Sequence, residues 1–418
     1  MNENEALKRE EFRRHWTLVM AAAMGFAFAS VTSSSTGPLM EPLGKEFGWS
    51  RALQSSGPSI TAILTFLMSP IFGLLIDRWG TRRMALSGLA LAGLMIASFS
   101  LVNGSPTQWI LLWLFYAFAA VMIKSTVWTA AVSSVFTHGR GLALGLTLSG
   151  TALANAIVPP ITNALIDAYG WRGAFVGLGI GGGTIALVVC WFFLFDGYDA
   201  ARKRQQAEGV STAKLLDVPG LSMAQAWRSR PLWIIAFTTF VMMVITIALN
   251  IHQFPILTAA GVDRTSAAWY ASIAGVTGIA GKLVTGWLLD RYHARWVGSL
   301  TLGSTAIAFA ILMMPDLTPA MIVTAMAING YSAGTKLQLA SFLTSAYGGM
   351  RNFGGIFGVI ASLIAAGSGI GPVLGGYVFD LYQSYDPFLA AAVGASLLCG
   401  LLIYFVGPYP DWSDHTVA

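Results

Sequence analysis

The chain has 418 residues, of which 55% are hydrophobic and 10% are charged. Soluble domains carry roughly a quarter of charged residues, so this composition argues against a soluble globular protein and favours one embedded in a bilayer. The formal net charge is +5. It does not indicate nucleic-acid binding, because the basic residues lie in short segments beside apolar runs.

Twelve apolar runs follow one another along the chain, each about as long as the ~20 residues that a helix needs to cross a bilayer. Six precede and six follow one long polar segment, 197–230, which we interpret as a cytoplasmic linker. We therefore expect two domains, 1–196 and 231–418. The predicted spans are residues 16–41, 53–76, 84–103, 107–135, 141–168, 173–196, 231–257, 266–289, 296–314, 318–346, 352–381 and 385–408.

The lysines and arginines outside these spans are unevenly distributed. If both termini are cytoplasmic, 17 of them lie in inside segments and four in outside loops. Cytoplasmic loops of membrane proteins carry such an excess. The sequence therefore predicts a multi-pass protein of a bacterial-type inner membrane, with both termini in the cytoplasm.

A loop motif occurs twice, at a shift of 213 residues. Gly73, Asp77, Arg78 and Arg82 recur as Gly286, Asp290, Arg291 and Arg295. The same shift relates further pairs: Pro42 and Pro255, Gly48 and Gly261, Arg51 and Arg264, Gly145 and Gly358, Pro159 and Pro372, Asp167 and Asp380, Phe175 and Phe388. We predict an all-α membrane protein with twelve transmembrane helices in two parallel six-helix repeats, an arrangement typical of secondary transporters.

Three lysines lie well inside predicted spans: Lys124, Lys282 and Lys336. No Asp or Glu lies at comparable depth. A charged residue at the centre of a span costs about 2.5–3.5 kcal/mol on insertion scales and indicates a functional site. Three cations without a carboxylate partner in the sequence predict an anionic ligand.

Several motifs lie within the predicted helices or at their ends. They are Phe47-Gly-Trp-Ser-Arg51-Ala, Arg140-Gly-Leu-Ala-Leu-Gly145, Pro159-Pro160, Gly170-Trp-Arg172-Gly-Ala-Phe175, His252-Gln-Phe-Pro255 and Gly281-Lys282-Leu-Val-Thr-Gly286. With the repeated loop, they resemble the major facilitator superfamily, in the bacterial branch similar to monocarboxylate and oxalate/formate porters. Two positions depart from that pattern. Lys282 stands where the branch usually has arginine, and Gly278 where animal monocarboxylate transporters have an aspartate.

The resemblance implies that helices 4 and 10 face each other across a central cavity, so that Lys124 and Lys336 flank one ligand. Snorkelling of the lysine side chains, or neutral lysines, are the alternatives. Trp128 and Tyr331 could line an aromatic pocket, although packing is the commoner role. Interhelical hydrogen bonds are as good an explanation as ligand binding for three polar residues. These are Asn155, Asn250 and Gln338.

His252 is the only histidine within a predicted span. It could titrate near neutral pH and couple proton movement to transport, or it could be a hydrogen-bonded structural residue. We assign a different role, that of conformational latches, to the repeated loop residues. These are Gly73, Asp77, Arg78, Arg82, Gly286, Asp290 and Arg291.

We therefore predict a secondary transporter of organic anions, mono- or dicarboxylates, that works by alternating access. The resemblance favours proton symport, whereas Gly278 and the three lysines favour anion exchange; a non-transporting anion sensor is a further alternative. No enzyme motif or metal-ligand spacing is present in the sequence, so we expect no enzymatic activity, metal or cofactor. The expected partners are a small carboxylate, protons or a counter-anion, and the bilayer, with the protein as a monomer.

Overall fold

A computed structural model describes residues 3–136, 140–195, 220–289, 291–349 and 352–410. Within these ranges the chain is helical, and its only β-type pairing is an isolated bridge between Gly220 and Gly349. The chain divides into two compact units, one formed by Met1–Trp49 and Ser56–Ser211 and the other by Ser50–Ser55 and Thr212–Ala418. The predicted linker lies largely outside the described residues, so the domain boundaries stay a prediction.

The described residues of the first unit form nine α-helices, of which α3 begins with residues of the second unit. They are α1 (Glu3–Phe28), α2 (Val31–Phe47), α3 (Arg51–Trp79), α4 (Thr81–Ser98), α5 (Pro106–Met122), α6 (Ser125–Ser133), α7 (Arg140–Leu148), α8 (Gly150–Val176) and α9 (Gly183–Phe193). Gly170 interrupts α8 with φ 69°, a left-handed conformation that favours glycine. This kink lies between the fifth and sixth predicted spans.

The part of the second unit that the structure describes forms seven further α-helices. They are α10 (Met223–Arg228), α11 (Arg230–Ala259), α12 (Arg264–Leu289), α13 (Ala294–Leu312), α14 (Pro319–Gly348), α15 (Phe353–Tyr382) and α16 (Asp386–Tyr404). The last six correspond to the predicted spans of the second repeat. Their buried faces form an apolar core that includes Phe254, Phe309, Leu339 and Leu389.

Nine helical stretches of the described residues are long and apolar enough to cross a membrane. One of them, Leu142–Phe193, has 52 residues and includes two predicted spans. The two remaining predicted spans correspond to α3 and α14, which have 29 and 30 residues. The polar side chains of α14, among them Asn329 and Lys336, lower the hydropathy of that helix.

Three predicted spans are not continuous helices, although each overlaps one stretch that is long and apolar enough to cross a membrane. The span 141–168 is divided between α7 and α8 at Ser149. The span 16–41 is divided between α1 and α2 at residues 29–30. The span 107–135 is divided between α5 and α6, because Lys124 has extended backbone angles (φ −72°, ψ 172°). The Trp128 indole nitrogen donates to the Ile123 carbonyl at 2.8 Å, so a side chain satisfies a backbone acceptor that the break releases.

Glycines bring α12 and α14 into backbone contact. A Cβ added at Gly334 would lie 2.1 Å from the Gly278 carbonyl oxygen, and one added at Gly281 would lie 2.3 Å from the Tyr331 carbonyl oxygen. Small residues allow membrane helices to approach this closely. Gly278 is therefore part of a tight helix contact.

The first turn of α3 is held by a carboxylate of α15. Asp380 accepts hydrogen bonds from the backbone nitrogens of Arg51 at 2.8 Å and Ala52 at 2.9 Å. The Ser55 hydroxyl donates to the Pro372 carbonyl at 2.9 Å. The first amides of a helix lack intrahelical partners and attract negative charge, so Asp380 stabilises the start of α3. The sequence identified Asp380 only as the repeat counterpart of Asp167.

We expect Asp380→Ala to accelerate hydrogen exchange at the Arg51 and Ala52 amides roughly 2- to 30-fold, which is the range that loss of a helix cap implies. Hydrogen-exchange mass spectrometry of a peptide that covers residues 48–58 measures this. The matched control is Asp386→Ala, which removes an exposed acid from the first turn of α16. Equal exchange in the two variants would contradict the capping role of Asp380.

Candidate substrate and coupling site

Nine residues were predicted to bind substrate or a proton. The first unit contains Lys124, Trp128 and Asn155, and the second contains Asn250, His252, Lys282, Tyr331, Lys336 and Gln338. We describe each unit separately.

Lys124 lies at the break between α5 and α6, where its backbone does not continue either helix. The residue is half-buried. Among the residues that the structure describes, no carboxylate lies within 4 Å of its Nζ atom. Lys124 therefore lies between two helix segments, with no described carboxylate paired with its ammonium group.

Trp128 does not contribute an open aromatic surface. Its side chain is fully buried, and its ring occupies the space above Gly25, where an added Cβ would lie 2.1 Å from a ring carbon. Its indole nitrogen is bound to Ile123. The contacts of Trp128 are therefore those of a packing residue that links α1, α5 and α6.

Asn155 lies in a polar group that includes hydroxyls of α2. Its Oδ1 atom accepts a hydrogen bond from Ser34 at 2.6 Å, and Thr32 donates to the Tyr116 hydroxyl at 2.9 Å. Sequence reasoning missed Tyr116, which is completely buried. Its signal was the hydroxyl-rich run at 32–36, which needs hydrogen-bond partners inside the bilayer.

Lys336 is only 5% exposed, and its ammonium group donates to the Thr246 hydroxyl on α11. The Thr246 hydroxyl in turn donates to the Met242 carbonyl at 2.6 Å. The side chain is thus directed to a neighbouring helix, which stands against the snorkelling alternative. No carboxylate of the described part of the chain lies within 4 Å of it, so its charge is met by a neutral acceptor.

Lys282 is half-buried on α12. One turn later, Thr285 shares a hydrogen bond of 3.0 Å with the Tyr331 hydroxyl. The exposed Gln338 side chain lies over Gly286. A Cβ added at Gly286 would be 2.9 Å from the side-chain amide nitrogen of Gln338. These contacts place Tyr331 and Gln338 along the α12–α14 contact that also includes Lys282. Asn250 is half-buried on α11.

His252 is completely buried, and both ring nitrogens have partners. Nδ1 lies 2.8 Å from the Tyr385 hydroxyl and Nε2 lies 2.9 Å from the Pro372 carbonyl. The Tyr385 oxygen also accepts from the Arg51 guanidinium at 2.6 Å. The network thus joins α11, α15, the residue before α16 and the first residue of α3. It was not predicted, because its members are far apart in sequence.

The partners of His252 determine which nitrogen carries the proton. A carbonyl can only accept, so Nε2 donates to Pro372. Tyr385 then donates its hydroxyl proton to Nδ1, while its oxygen accepts from Arg51. This set of hydrogen bonds is complete for a neutral imidazole. If the ring gains its second proton, at Nδ1, that proton faces the Tyr385 hydroxyl, whose oxygen already accepts from Arg51. Protonation of His252 would therefore rearrange the network.

The predicted latch residues are described only in part. The backbone of Gly73, Asp77 and Arg78 belongs to α3, and their side chains lie outside the description, as does all of Asp290. Arg82 donates to the Trp191 carbonyl at 2.7 Å. The Arg291 guanidinium lies 4.0 Å from the centre of the Trp287 ring. The latch role stays a prediction.

The sequence predicts neither a metal nor a cofactor. Within the described residues, no group of three or more His, Cys, Asp or Glu side chains has the arrangement of a metal site. Both cysteines, Cys190 and Cys399, are buried and free.

Known proteins resemble this chain at the level of sequence. The human monocarboxylate transporter 12 (Homo sapiens) is 25% identical over 66% of this chain, which spans 56% of that protein's length. Monocarboxylate transporter 13 of Bos taurus is 25% identical over 94% of this chain and 89% of its own. A probable sulfoacetate transporter, SauU of Cupriavidus necator, is 27% identical over 63% of this chain and 65% of its own.

Two solved structures are similar to this chain in fold. The nucleoside transporter NupG has a TM-score of 0.69 at 14% identity, covering 94% of this chain and 99% of its own. A bacterial homologue of the human lysosomal transporter Spinster has a TM-score of 0.65 at 15% identity, covering 94% of each chain.

The family model described as Major Facilitator Superfamily matches residues 22–258 and 246–415, which together include most of the chain. The helices and the repeat agree with that fold, in which twelve membrane spans form two six-helix repeats. The chain is therefore a multi-pass membrane transporter that belongs to the Major Facilitator Superfamily.

Proposed function

We propose that this protein transports small organic anions, with mono- or dicarboxylates as the substrate class. The observation that carries the proposal is the placement of Lys124 and Lys336 inside spans with no described carboxylate partner. A buried cation without a counter-charge is costly, and a carboxylate ligand supplies that charge. The monocarboxylate and sulfoacetate transporters named above support the class, since both substrate types are organic anions.

The lysines are proposed to bind the substrate in different ways. Lys336 already donates to Thr246, and an entering carboxylate would replace this neutral acceptor with a charged one. Lys124 would provide a second ammonium from the helix break in the first unit. Lys282 and the Tyr331 hydroxyl would form a further polar group on α12 and α14, next to the Thr285 hydroxyl.

We expect Lys336→Gln and Lys124→Gln each to weaken carboxylate binding by about tenfold or more, because a hydrogen bond to a charged group contributes about 1.5–3 kcal/mol. Lys282→Arg, which restores the residue usual in the branch, should have a smaller effect. A thermal-shift screen of the purified protein against mono-, di- and aromatic carboxylates identifies the ligand, and titration then gives the affinity.

The matched control is Lys45→Gln. Lys45 is exposed and paired with Glu41 at 2.6 Å, so its loss should leave binding unchanged. Glutamine can still hydrogen-bond Thr246, so the Lys336 variant should remain folded. Wild-type affinity in the double variant, Lys124→Gln with Lys336→Gln, would remove the anion-site proposal.

Proton symport is our working proposal for the coupling, with His252 as the titrating group. Its support is the hydrogen-bond network through Tyr385 to Arg51, which changes when Nδ1 is protonated. Anion exchange is the second candidate, favoured by the absence of an acid at residue 278. In an exchanger, the empty cationic site would be costly to reorient without a bound anion.

Proteoliposomes separate the two couplings. Under symport, an inward proton gradient should drive accumulation of labelled substrate, and His252→Ala should flatten the pH dependence of uptake. A His252→Gln variant, which keeps a side chain capable of hydrogen bonding, controls for loss of the network's structure. Accumulation driven only by an internal load of the same anion would contradict symport, and no flux under either condition would favour the sensor alternative.

We also propose that the protein lies in a bacterial-type inner membrane with cytoplasmic termini, as the distribution of basic residues predicts. Single cysteines at Lys45 and Lys214 in a background without cysteines should then react differently with an impermeant thiol reagent. Position 45 should be labelled in intact cells and position 214 only after permeabilisation. Labelling of both in intact cells would contradict this orientation.

A further inference from the structure

An apolar groove lies in the second unit, where α10 packs against the start of α11 and the first half of α15. The groove is open to its surroundings, and the space along its walls, open solvent included, is about 370 Å³. Its wall contains no charged side chain among the described residues. The residues that line it are Met223, Ala226, Trp227, Leu232, Trp233, Ala236, Ile356, Val359 and Ile360.

The outer wall of the groove is fixed by hydrogen bonds. The Leu221 backbone nitrogen donates to the Gly348 carbonyl at 2.9 Å, and the Asn352 side chain donates to the Leu221 carbonyl at 2.9 Å. Ser222 and Gln225 form a capping box at the start of α10. These bonds connect the segment before α10 to the end of α14 and to the start of α15.

The mouth of the groove combines aromatic and basic side chains. Trp227 and Trp233 are 52% and 48% exposed, and their ring centres are 5.5 Å apart. Trp233 also donates its indole proton to the Trp227 carbonyl at 2.9 Å. Arg228 and Arg230 are exposed beside them, and neither pairs with a carboxylate among the described residues.

We propose that this groove binds one anionic phospholipid, with an acyl chain against the apolar wall and the phosphate beside Arg228 and Arg230. Tryptophan is favoured at the headgroup level of membranes, where its ring is apolar and its nitrogen is polar. Arginines near the surface attract anionic headgroups. The positive charge of the two arginines thus favours an anionic headgroup. The apolar wall of the groove favours a lipid, which has an acyl chain, over a free phosphate.

The test is native mass spectrometry of the full-length protein, incubated with equal amounts of phosphatidylglycerol and phosphatidylcholine. The wild type should retain phosphatidylglycerol in preference. The double variant Arg228→Gln, Arg230→Gln should retain about tenfold less phosphatidylglycerol than the wild type, because it lacks two cations near the headgroup. Ala226→Phe, which fills the groove, should lose retention as well.

The matched control is Arg13→Gln with Arg14→Gln, which removes two exposed cations from α1 of the first unit. It should retain lipid as the wild type does. Size-exclusion chromatography checks the folding of Ala226→Phe, while the arginine variant alters only exposed side chains and stays informative in any case.

Three results would overturn the proposal. Unchanged retention in the arginine variant would show that the headgroup is not bound there. Unchanged retention in a folded Ala226→Phe variant would show that the groove holds no acyl chain. Equal retention of the two lipids by the wild type would mean that something other than an anionic lipid covers the groove, such as residues of 197–219.

Discussion

The main energetic constraint on this structure is the burial of a positively charged side chain within a membrane-spanning helix. Lys336 is 5% exposed within α14, and the described acceptor for its ammonium group is the neutral Thr246 hydroxyl. Burial of a charge is costly unless it is paired and hydrogen-bonded. Thr246 lowers that cost without removing the charge. If an anion binds beside Lys336, as we propose, it would offset the remaining cost, and the residue would favour ligand binding at the expense of stability.

Helix α11 connects three features that the sequence presents separately. Thr246 and His252 lie on this helix, one held to Lys336 of α14 and the other to Pro372 of α15. The start of the same helix forms part of the apolar groove, together with α15. Because α11 and α15 meet both at the groove and at His252, a lipid in the groove would bear on the two helices that hold the histidine.

The helical architecture could be predicted from sequence because apolar run length and the 213-residue repeat are local or periodic signals. The breaks at residues 29–30 and 123–124 could not, since a change of backbone angles at one or two residues leaves no signal in the length of an apolar run. The role of Asp380 could not be predicted because its partner Arg51 is 329 residues away. Lys124 and Lys336 were visible as candidates because an intramembrane charge is costly wherever it lies, whereas their hydrogen-bond partners were not.

The two repeats have diverged at the positions around the histidine. Under the 213-residue shift, His252 corresponds to Leu39, which is buried and apolar. Tyr385 corresponds to Arg172, which forms an ion pair with Glu46 at 2.8 Å. The first unit thus has a fixed ion pair where the second has a network of Tyr385, His252 and Arg51. An ion pair between groups that are both charged at neutral pH does not respond to small changes in pH, whereas a histidine network can. A proton that binds His252 would therefore act first on the Tyr385 hydroxyl, and through it on Arg51 at the start of α3.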